Sequence, residues 1–408
     1  MRLYFVLMSV IFFQRESSIY PHQHIPETAD LRIRVKVFSK NGCLFFVDSY
    51  ICKPWPGRLV LSGMMPWTQN INNHTMRIFF RLMIVAALAA ANYIGADAQE
   101  PVLKFNQDKK FKIVQFTDTH VIYEDKRCNE AMERMNEVLD AEKPDFVIYT
   151  GDLIFGRPAK ESLLQAVEPV VSRGIPFGVT WGNHDDEELL TRQELFDVIK
   201  DLPNNLTGTT EGITGVTNYV LPVKSSDGDK DACVLYVFDS NSYSPMEEVD
   251  GYGWIKYDQI GWYKEQSAAF TEANRGNPLP AMAFFHIPLP EYHEAALNVD
   301  GFFLGTRKEK PCSPPVNSGL ALAMVEARDV MAVSVGHDHV NDYVADWRNI
   351  MLCYGRYTGG STVYNDIPGG NGARVFELTE GERSFRTWIR LKDGKVINEF
   401  SYPVDLER

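Results

Sequence analysis

The stretch FKIVQFTDTH (residues 111–120) decides the fold, because an apolar run rich in β-branched and aromatic residues ends abruptly in a polar cluster. Such a run predicts a buried strand whose carboxyl end carries Asp118 and His120. The next stretch, NEAMERMNEVLDAEKP (129–144), has apolar residues at helical spacing and ends at a proline, which predicts a helix.

The same alternation repeats further along the chain. DFVIYTGDL (145–153) predicts a second strand, ESLLQAVEPVVSRG (161–174) a second helix, and PFGVTWGNHD (176–185) a third strand. Strands that alternate with helices indicate parallel strands joined by helical crossovers, and continuous apolar strands fit a sheet that is covered on both faces. The sequence therefore predicts an α/β fold.

Polar residues follow each predicted strand, and two later apolar runs, AMAFFHIP (281–288) and VMAVSVGHDH (330–339), end in histidines. In α/β sheets, ligands bind beyond the carboxyl ends of the strands. Of the six histidines after residue 99, only His293 lies away from these ends. We expect the polar side chains to meet at one edge of the sheet as metal ligands: Asp118, His120, Asp152, Asn183, His286, His337 and His339.

The chemistry of these donors indicates two metal ions. Seven oxygen and nitrogen donors, with no thiolate among them, are too many for one catalytic zinc, which usually takes three protein ligands and keeps an open position. They suit two divalent ions that share a carboxylate. Such a pair generates hydroxide near neutral pH and clamps the ester oxygens during in-line displacement at phosphorus.

The motifs DTH, GDL, GNHD, HIP and GHDH occur in this order, and together they resemble the calcineurin-like metallophosphoesterase superfamily. The stretches HIPLPEY, VNSGLALAMVEARDV and GHDHVNDY are most similar to the purple-acid-phosphatase-like branch that lacks the N-terminal fibronectin-type domain. The resemblance implies a four-layer α/β/β/α sandwich with two mixed β-sheets. It places a metallophosphoesterase domain at 99–408 with its motif core at 111–343, and the stretches 216–240 and 350–402 are expected to supply the second sheet.

The resemblance also implies a role for each candidate residue. One metal would be held by Asp118, His120, Asp152 and His339, and the other by Asp152, Asn183, His286 and His337, with Asp152 bridging. A hydroxide that bridges the metals would attack phosphorus. His184 would protonate the leaving group and Asp185 would orient its ring; a purely structural His184 is the alternative.

One position departs from the purple enzymes, whose second motif is Gly-Asp-x-x-Tyr with a tyrosine phenolate on ferric iron. Here Phe155 occupies the tyrosine position, while His120 supplies an imidazole that the purple enzymes lack. Because neutral imidazole replaces an anionic ligand, we expect two divalent ions (Mn, Zn or Fe) and no ferric centre.

Three functions are compatible with this set of ligands. We expect a metal-dependent phosphoric ester hydrolase that acts on small phosphomonoesters. The alternatives are a phosphodiesterase or nucleotidase with the same site, and a non-catalytic metal-binding protein. Aromatic- and glycine-rich stretches at 242–258, 298–312 and 354–372 are expected to be loops around the site. The candidate substrate contacts are His293, Arg307, Arg356 and Tyr357.

The N-terminal part has a different character. From Met76, the sequence MRIFFRLMIVAALAAANYIGADAQEP has a basic start, an apolar middle and a small-residue cleavage site, which predicts a signal peptide at 76–98 and an extracytoplasmic (periplasmic or secreted) protein with no membrane span after cleavage. A membrane anchor is the alternative. Residues 1–75 are interpreted as a non-native or disordered extension; alternatively, MRLYFVLMSVIFF is a short signal and 14–98 a mature region.

Charge and cysteine content limit the partners and crosslinks. A formal net charge of -13 argues against nucleic-acid binding through basic patches. Residues 99–408 contain four cysteines, which permit three disulfide connectivities or remain buried free thiols.

Overall fold

The computed structural model of the protein describes residues 31–38, 44–51 and 101–404. Strands β1 (Leu31–Phe38) and β2 (Leu44–Ile51) form an antiparallel pair. The predicted signal peptide at 76–98 lies outside the described residues, as does most of 1–75, so both interpretations stay predictions. Among the described helices, none combines the length and the apolar character needed to cross a bilayer.

Residues 101–404 begin with alternating strands and helices and end with a run of strands. In chain order the elements are β3 (Lys110–Phe116), α1 (Asn129–Glu142), β4 (Phe146–Thr150), α2 (Ala159–Val171), β5 (Phe177–Thr180), α3 (Arg192–Ile199), β6 (Tyr219–Lys224), β7 (Asp231–Val237), α4 (Tyr257–Ala273), β8 (Ala281–Phe284), α5 (Glu291–Leu297), β9 (Phe303–Leu304), α6 (Leu320–Ala327), β10 (Val330–Val335), β11 (Val344–Trp347), β12 (Ile350–Tyr354), β13 (Gly372–Thr379), β14 (Phe385–Leu391) and β15 (Val396–Tyr402). Short 3₁₀ helices cover Lys126–Cys128 and Lys392–Gly394.

These strands form two mixed sheets. The six-stranded sheet has the order β15-β14-β13-β3-β4-β5, with β3, β4 and β5 parallel to one another. The seven-stranded sheet has the order β6-β7-β8-β10-β12-β11-β9, with β7, β8, β10 and β12 parallel. The predicted fold class, with two mixed sheets and helices, is confirmed.

Alternation along the strands explains the four layers. Val114 of β3 packs with residues of α1, α2 and α3, whereas its neighbour Ile113 packs against Leu235 and Met282 of the other sheet. The far face of the seven-stranded sheet is covered in the same way by α4, α5 and α6. Because side chains point alternately to opposite faces of a strand, each sheet has one face toward helices and one toward the other sheet.

Two details of the predicted topology were wrong. The stretches 216–240 and 350–402 do not form one second sheet, because β6, β7 and β12 join the seven-stranded sheet while β13, β14 and β15 extend the sheet of β3. The predicted ligand-bearing strands also belong to two sheets, with β8 and β10 in the seven-stranded one. Apolar patterning shows that a strand is buried but not which strand it pairs with, so the sequence could not separate the sheets.

The four cysteines of residues 101–404 are free thiols in this structure. Cys128, Cys233 and Cys353 are buried, and Cys312 is exposed. Of the two alternatives that the sequence left open, the structure has thiols and not disulfides.

A buried polar contact joins the two sheets close to the carboxyl ends of their strands. Ser334 of β10 donates to Gln115 Oε1 of β3 at 2.5 Å, and Gln115 Nε2 donates to Thr150 Oγ1 at 2.7 Å. Both Gln115 and Ser334 are fully buried. Because an unpaired buried polar group is costly, this contact fixes how one sheet lies on the other.

Replacing Gln115 with leucine should lower the free energy of unfolding by about 1–3 kcal/mol, because Ser334 and Thr150 would be left buried without partners. Urea unfolding measures the change. The double variant Gln115→Leu/Ser334→Ala should lose less than the sum of the two single variants. The exposed Gln107 provides a control, since Gln107→Leu should change stability by less than about 0.5 kcal/mol. Strict additivity of the pair would contradict this interpretation.

Candidate metal centre

Five loops, each of which follows the carboxyl end of a strand, bring the predicted ligands together. Asp118 and His120 follow β3, Asp152 follows β4, and Asn183 follows β5. His286 follows β8, and His337 and His339 follow β10, so the seven-stranded sheet supplies three of the seven. The structure thus places all seven candidates at a junction between the two sheets.

The first group of ligand atoms comes from Asp118, His120, Asp152 and His339, all of which are buried. His339 Nε2 lies 3.3 Å from Asp118 Oδ1, and His120 Nε2 lies 3.5 Å from Asp152 Oδ2. The ligand atoms of this group all lie within 4.8 Å of one another, which is close enough to hold one ion.

The second group comes from Asp152, His286 and His337. His286 Nε2 lies 3.2 Å from Asp152 Oδ2 and 3.2 Å from His337 Nδ1. Asp152 therefore belongs to both groups, as the sequence predicts for a bridging carboxylate. Two clusters that share one carboxylate have the arrangement of a dinuclear site.

Several buried polar atoms of this centre lack hydrogen-bond partners, and their chemistry shows whether the centre fits a metal. Both ring nitrogens of His120, Nε2 of His337 and Oδ1 of Asn183 are buried and have no hydrogen-bond partner. Buried polar atoms are nearly always paired, so several unpaired atoms at one place need an explanation. Neutral imidazole nitrogens and an amide oxygen are metal donors, and the residues present fit two divalent ions.

Hydrogen bonds on the far side of two rings orient them toward the centre. His286 Nδ1 lies 2.8 Å from the carbonyl oxygen of Thr150, and His339 Nδ1 lies 3.3 Å from that of Tyr364. A carbonyl oxygen only accepts, so Nδ1 carries the proton in both rings. This leaves Nε2 of each ring facing the carboxylates, as is usual for histidines that ligate metals.

Several of the candidate ligands have strained backbones. Asp118, His120, Asp152 and His337 have φ angles of 52°, 45°, 51° and 78°. Residues other than glycine rarely adopt positive φ, and such strain persists where the surrounding structure enforces it, commonly at functional sites. The strain turns these side chains back over the strand ends toward the centre.

Close packing of glycine against the shared carboxylate adds a second local constraint. A Cβ atom at Gly182 would lie 2.1 Å from Asp152 Oδ1 and 2.4 Å from the backbone nitrogen of Asp152. Such distances are far inside van der Waals contact, so only glycine permits the loop after β5 to approach Asp152 this closely.

The electrostatics match a centre that needs cations. Burial alone would raise the pKa of Asp152, but His286 and His120 beside it hold that pKa well below its usual range. Burial opposes a charged His286, yet the Asp152 carboxylate raises the pKa of His286 to about 9. Burial and the neighbouring His286 lower the pKa of His337 to about 3, so its ring is neutral, as a metal ligand requires.

The predicted role of Asp185 was wrong. Its carboxylate does not contact the ring of His184; Oδ2 accepts from the backbone nitrogens of Gly182 (2.7 Å) and Asp152 (2.9 Å), and Oδ1 accepts from Leu153 (2.7 Å). Burial and the nearby Asp152 raise the pKa of Asp185 to about 6. Asp185 therefore clamps the loop after β4 to the loop after β5. The ring of His184 is hydrogen-bonded to Glu187 instead.

The predicted substrate contacts divide into two pairs. His293 and Arg307 lie side by side, with His293 Nδ1 3.2 Å from Arg307 Nη2, and both are partly exposed. Arg356 is fully buried and donates to Asp342 Oδ2 at 2.6 Å, so its guanidinium is not available to a phosphate. Tyr357 is buried in a small apolar cluster. For Arg356, the expectation of a substrate contact was wrong; for Tyr357, whose ring centroid lies 6.5 Å from that of the candidate ligand His339, it stays a prediction.

Aromatic residues that the sequence did not single out surround the centre. The ring of Tyr364 is stacked on that of His339 with centroids 4.2 Å apart, and the ring of Tyr252 meets that of His337 edge-on at 4.3 Å. Tyr252 and Tyr364 come from the predicted loops 242–258 and 354–372, but no periodicity marked these rings in particular. Phe155, at the phenolate position of the purple enzymes, lies 5.0 Å from the ring of His120.

Asp338, between the two histidines of the GHDH motif, points away from the centre as expected. Tyr354 donates to Asp338 Oδ2 at 2.5 Å, and the backbone nitrogen of Cys312 lies 3.2 Å from both carboxylate oxygens. Burial raises the pKa of Asp338 to about 6. Its contacts hold the turn that presents His337 and His339.

Comparison with known proteins gives consistent results. The sequence profile of the calcineurin-like phosphoesterases matches residues 111–341. The chain is 31% identical to "Probable inactive purple acid phosphatase 29" of Arabidopsis thaliana, over 78% of this chain and 91% of that protein. It is 35% identical to "Phosphatase DCR2" of Saccharomyces cerevisiae, over 74% of this chain and 57% of that protein.

A solved structure shares the fold at low identity. The crystal structure of a dimetal phosphatase from Danio rerio superimposes with a TM-score of 0.51 and 12% identity, covering 71% of this chain and 98% of that one.

The close approach at Gly182 leads to a prediction. Gly182→Ala should weaken divalent-metal binding by roughly 10–100-fold, because the added methyl group must displace Asp152. Isothermal titration with Zn²⁺ or Mn²⁺ measures the affinity. Gly261→Ala in α4, where a Cβ would contact nothing within 4 Å, is the control and should bind metal normally. Unchanged affinity in Gly182→Ala would show that this approach does not position the carboxylate.

Proposed function

Since this chain belongs to the calcineurin-like phosphoesterase family, we propose that it is a metal-dependent phosphoric ester hydrolase that binds two divalent ions and cleaves small phosphomonoesters. The observation that carries the proposal is the Asp152 carboxylate, which two buried ligand clusters share. The relatives' names divide on activity, since one is called an inactive phosphatase and another a phosphatase. All seven ligand positions that the calcineurin-like motifs imply carry an oxygen or nitrogen donor in this chain, which favours catalysis.

In the proposed reaction, the protein supplies carboxylates that offset the charge of the ions and a rigid set of ligands that positions them. Two divalent ions, when bound, supply a hydroxide nucleophile near neutral pH and neutralise charge on the phosphoryl oxygens. The carboxylates of Asp118 and Asp152 would offset part of the charge of the ions. Neutral imidazoles and the Asn183 amide would complete the coordination. A buried and rigid ligand set favours catalysis, since its dipoles need little reorganisation during the reaction.

His184 is proposed to protonate the leaving group. Its backbone nitrogen donates to Asp152 Oδ1 at 2.9 Å, which places His184 beside the shared carboxylate. Its side chain is 30% exposed, in contrast to the buried ligands, and a substrate at the centre can therefore reach it. No protein nucleophile is needed in this scheme.

The proposed metals are two divalent ions of Mn, Zn or Fe. Tyr149, one of the tyrosines nearest in sequence to the second motif, donates to the carbonyl oxygen of Ala166 on the helix side of the sheet and is buried there. With Phe155 at the phenolate position, an anionic oxygen ligand of the purple type is replaced by the imidazole of His120. Neutral nitrogen donors suit divalent ions of intermediate hardness.

Export is proposed from the sequence of residues 76–98. The segment has the order of a secretory signal, and cleavage after Ala98 would leave Gln99 as the first residue of the mature protein. N-terminal sequencing of the exported protein tests this. A mature chain that starts well before Gln99 would contradict the assignment.

Asp152→Asn should lose both bound metal and activity, since the amide removes the charge that offsets two adjacent dications. The test compares wild type and variant by elemental analysis and by turnover of p-nitrophenyl phosphate and bis(p-nitrophenyl) phosphate. Asp140→Asn is a matched control, because Asp140 on α1 is largely exposed and pairs with Arg173. We expect faster turnover of the monoester by wild type.

Other outcomes decide between the alternatives. A higher rate with the diester would favour a phosphodiesterase or nucleotidase. Absence of turnover with any phosphoester, together with normal metal content, would favour a non-catalytic metal-binding protein. Two metals retained in Asp152→Asn would contradict the bridging role.

His184→Ala should keep both metals and lower kcat for an alkyl ester such as ethyl phosphate by roughly 10²–10⁴-fold. The loss with p-nitrophenyl phosphate should be smaller, because that leaving group needs less protonation. Steady-state kinetics with both esters measures the difference. His293→Ala, which removes a histidine outside the ligand set, is the control and should leave this leaving-group dependence unchanged. Equal losses for both esters in His184→Ala would indicate charge stabilisation in place of proton transfer.

The purified, active enzyme should be colourless, because no phenolate occupies the position that Phe155 fills. Visible absorption spectra of protein loaded with Mn, Zn or Fe(II) provide the measurement. A strong visible band that disappears on Tyr123→Phe or Tyr149→Phe would contradict a divalent centre.

A further inference from the structure

We propose that Glu187 is a positioning residue that holds two functional side chains at once: the ring of His184 and, through Tyr243, the amide of Asn183. This inference rests on the proposed function for the roles of His184 and Asn183. The geometry itself does not depend on that function, because both carboxylate oxygens of Glu187 are engaged by separate hydrogen bonds.

Each of the two hydrogen bonds of the Glu187 carboxylate is called an arm here, and the first arm orients His184. Glu187 Oε2 lies 2.7 Å from His184 Nδ1. An ionised carboxylate only accepts hydrogen bonds, so the proton of the neutral ring lies on Nδ1. Nε2 is then the nitrogen left free to exchange a proton with a substrate. A histidine that transfers protons is commonly fixed in this way by a third group that acts on its other nitrogen.

The second arm orients Asn183. Tyr243 donates its hydroxyl proton to Glu187 Oε1 at 2.7 Å, and the same hydroxyl oxygen accepts from Asn183 Nδ2 at 3.2 Å. Because Nδ2 is bonded to Tyr243, Oδ1 is turned the other way. Asn183 Oδ1 is buried and has no hydrogen-bond partner, as expected for an oxygen that faces an ion. The chain of bonds therefore chooses which end of the amide faces the centre.

The neighbouring carboxylates have other partners. His184 is followed by four acidic residues in sequence, and the structure assigns a different contact to each. Asp185 accepts from backbone nitrogens, Asp186 lies 3.3 Å from Arg192 Nε, and Glu188 lies 3.0 Å from Arg157 Nε. Glu187 is the one of the four whose contacts run to His184 and Tyr243.

Tyr243 also ties a loop to the centre. Its ring is stacked on that of Tyr252 with centroids 5.8 Å apart, and Tyr252 contacts His337. The two tyrosines are joined by an isolated β-bridge. Glu187 thus connects the loop after β5 to the loop after β7, and the ligand loops of the two sheets are held together at the open side of the centre.

Kinetic measurements test the arm to His184. Glu187→Ala should lower kcat for ethyl phosphate by roughly 10–100-fold, with a smaller loss for p-nitrophenyl phosphate and little change in KM. In the His184→Ala background, the same substitution should have little further effect on the leaving-group dependence, since Glu187 acts through that ring. Glu188→Ala, which removes an adjacent carboxylate, is the matched control and should show near wild-type kinetics. The positioning role would be overturned if Glu187→Ala lowered kcat for both esters by the same factor, and by that same factor again in the His184→Ala background.

Two measurements that do not depend on activity test both arms in the zinc-loaded protein. Histidine-ring ¹⁵N spectra, assigned with His184→Ala, should show the proton of His184 on Nδ1 in wild type and a mixture of tautomers in Glu187→Ala. Tyr243→Phe should weaken zinc binding by roughly 10-fold while leaving the His184 ring signals unchanged. A neutral His184 ring protonated on Nε2 in wild type, or unchanged zinc affinity in Tyr243→Phe, would overturn the corresponding arm. If wild type has no activity, the proposed function fails, while these two readouts still decide the role of Glu187.

Discussion

The carboxylate of Asp152 is the constraint on which the rest of the centre depends. It lies between His120 and His286, its other oxygen accepts from the backbone of His184, and Gly182 packs directly against it. A buried carboxylate is stable only when compensating positive charge is near. The strained backbone at Asp152 and the clamp from Asp185 hold it there, so the local fold maintains an arrangement that would suit two divalent ions.

Because the candidate ligands come from both sheets, the distances between them depend on how the two sheets pack against each other. Asp118 and Asp152 follow strands of one sheet, while His286 and His337 follow strands of the other. Any slip of one sheet on the other would separate the carboxylates from these histidines. The buried Gln115–Ser334 contact lies three residues before Asp118 along one strand and three before His337 along the other. The same interface that stabilises the fold therefore sets the distances of the centre.

The sequence predicted the elements that depend on local pattern and missed those that depend on packing. Continuous apolar runs with polar ends gave the strands, and the ligands at these ends were expected to converge. Arg356 looked like a loop cation in a glycine-rich stretch, but Asp342, fourteen residues earlier, buries it in an ion pair. Asp185 stood next to His184 in sequence, yet the short turn aims it at backbone nitrogens and leaves the ring to Glu187. Tyr243 carried no signal, because its role depends on a loop that only the folded chain brings near Asn183.

The most direct test of a shared carboxylate is anomalous diffraction from crystals of the protein grown with Mn²⁺ or Zn²⁺. Two anomalous peaks should lie on either side of the Asp152 carboxylate, roughly 3.5–4 Å apart, one near His120 and His339 and the other near His286 and His337. A single peak in crystals saturated with metal, or two peaks that do not share Asp152, would contradict a dinuclear centre.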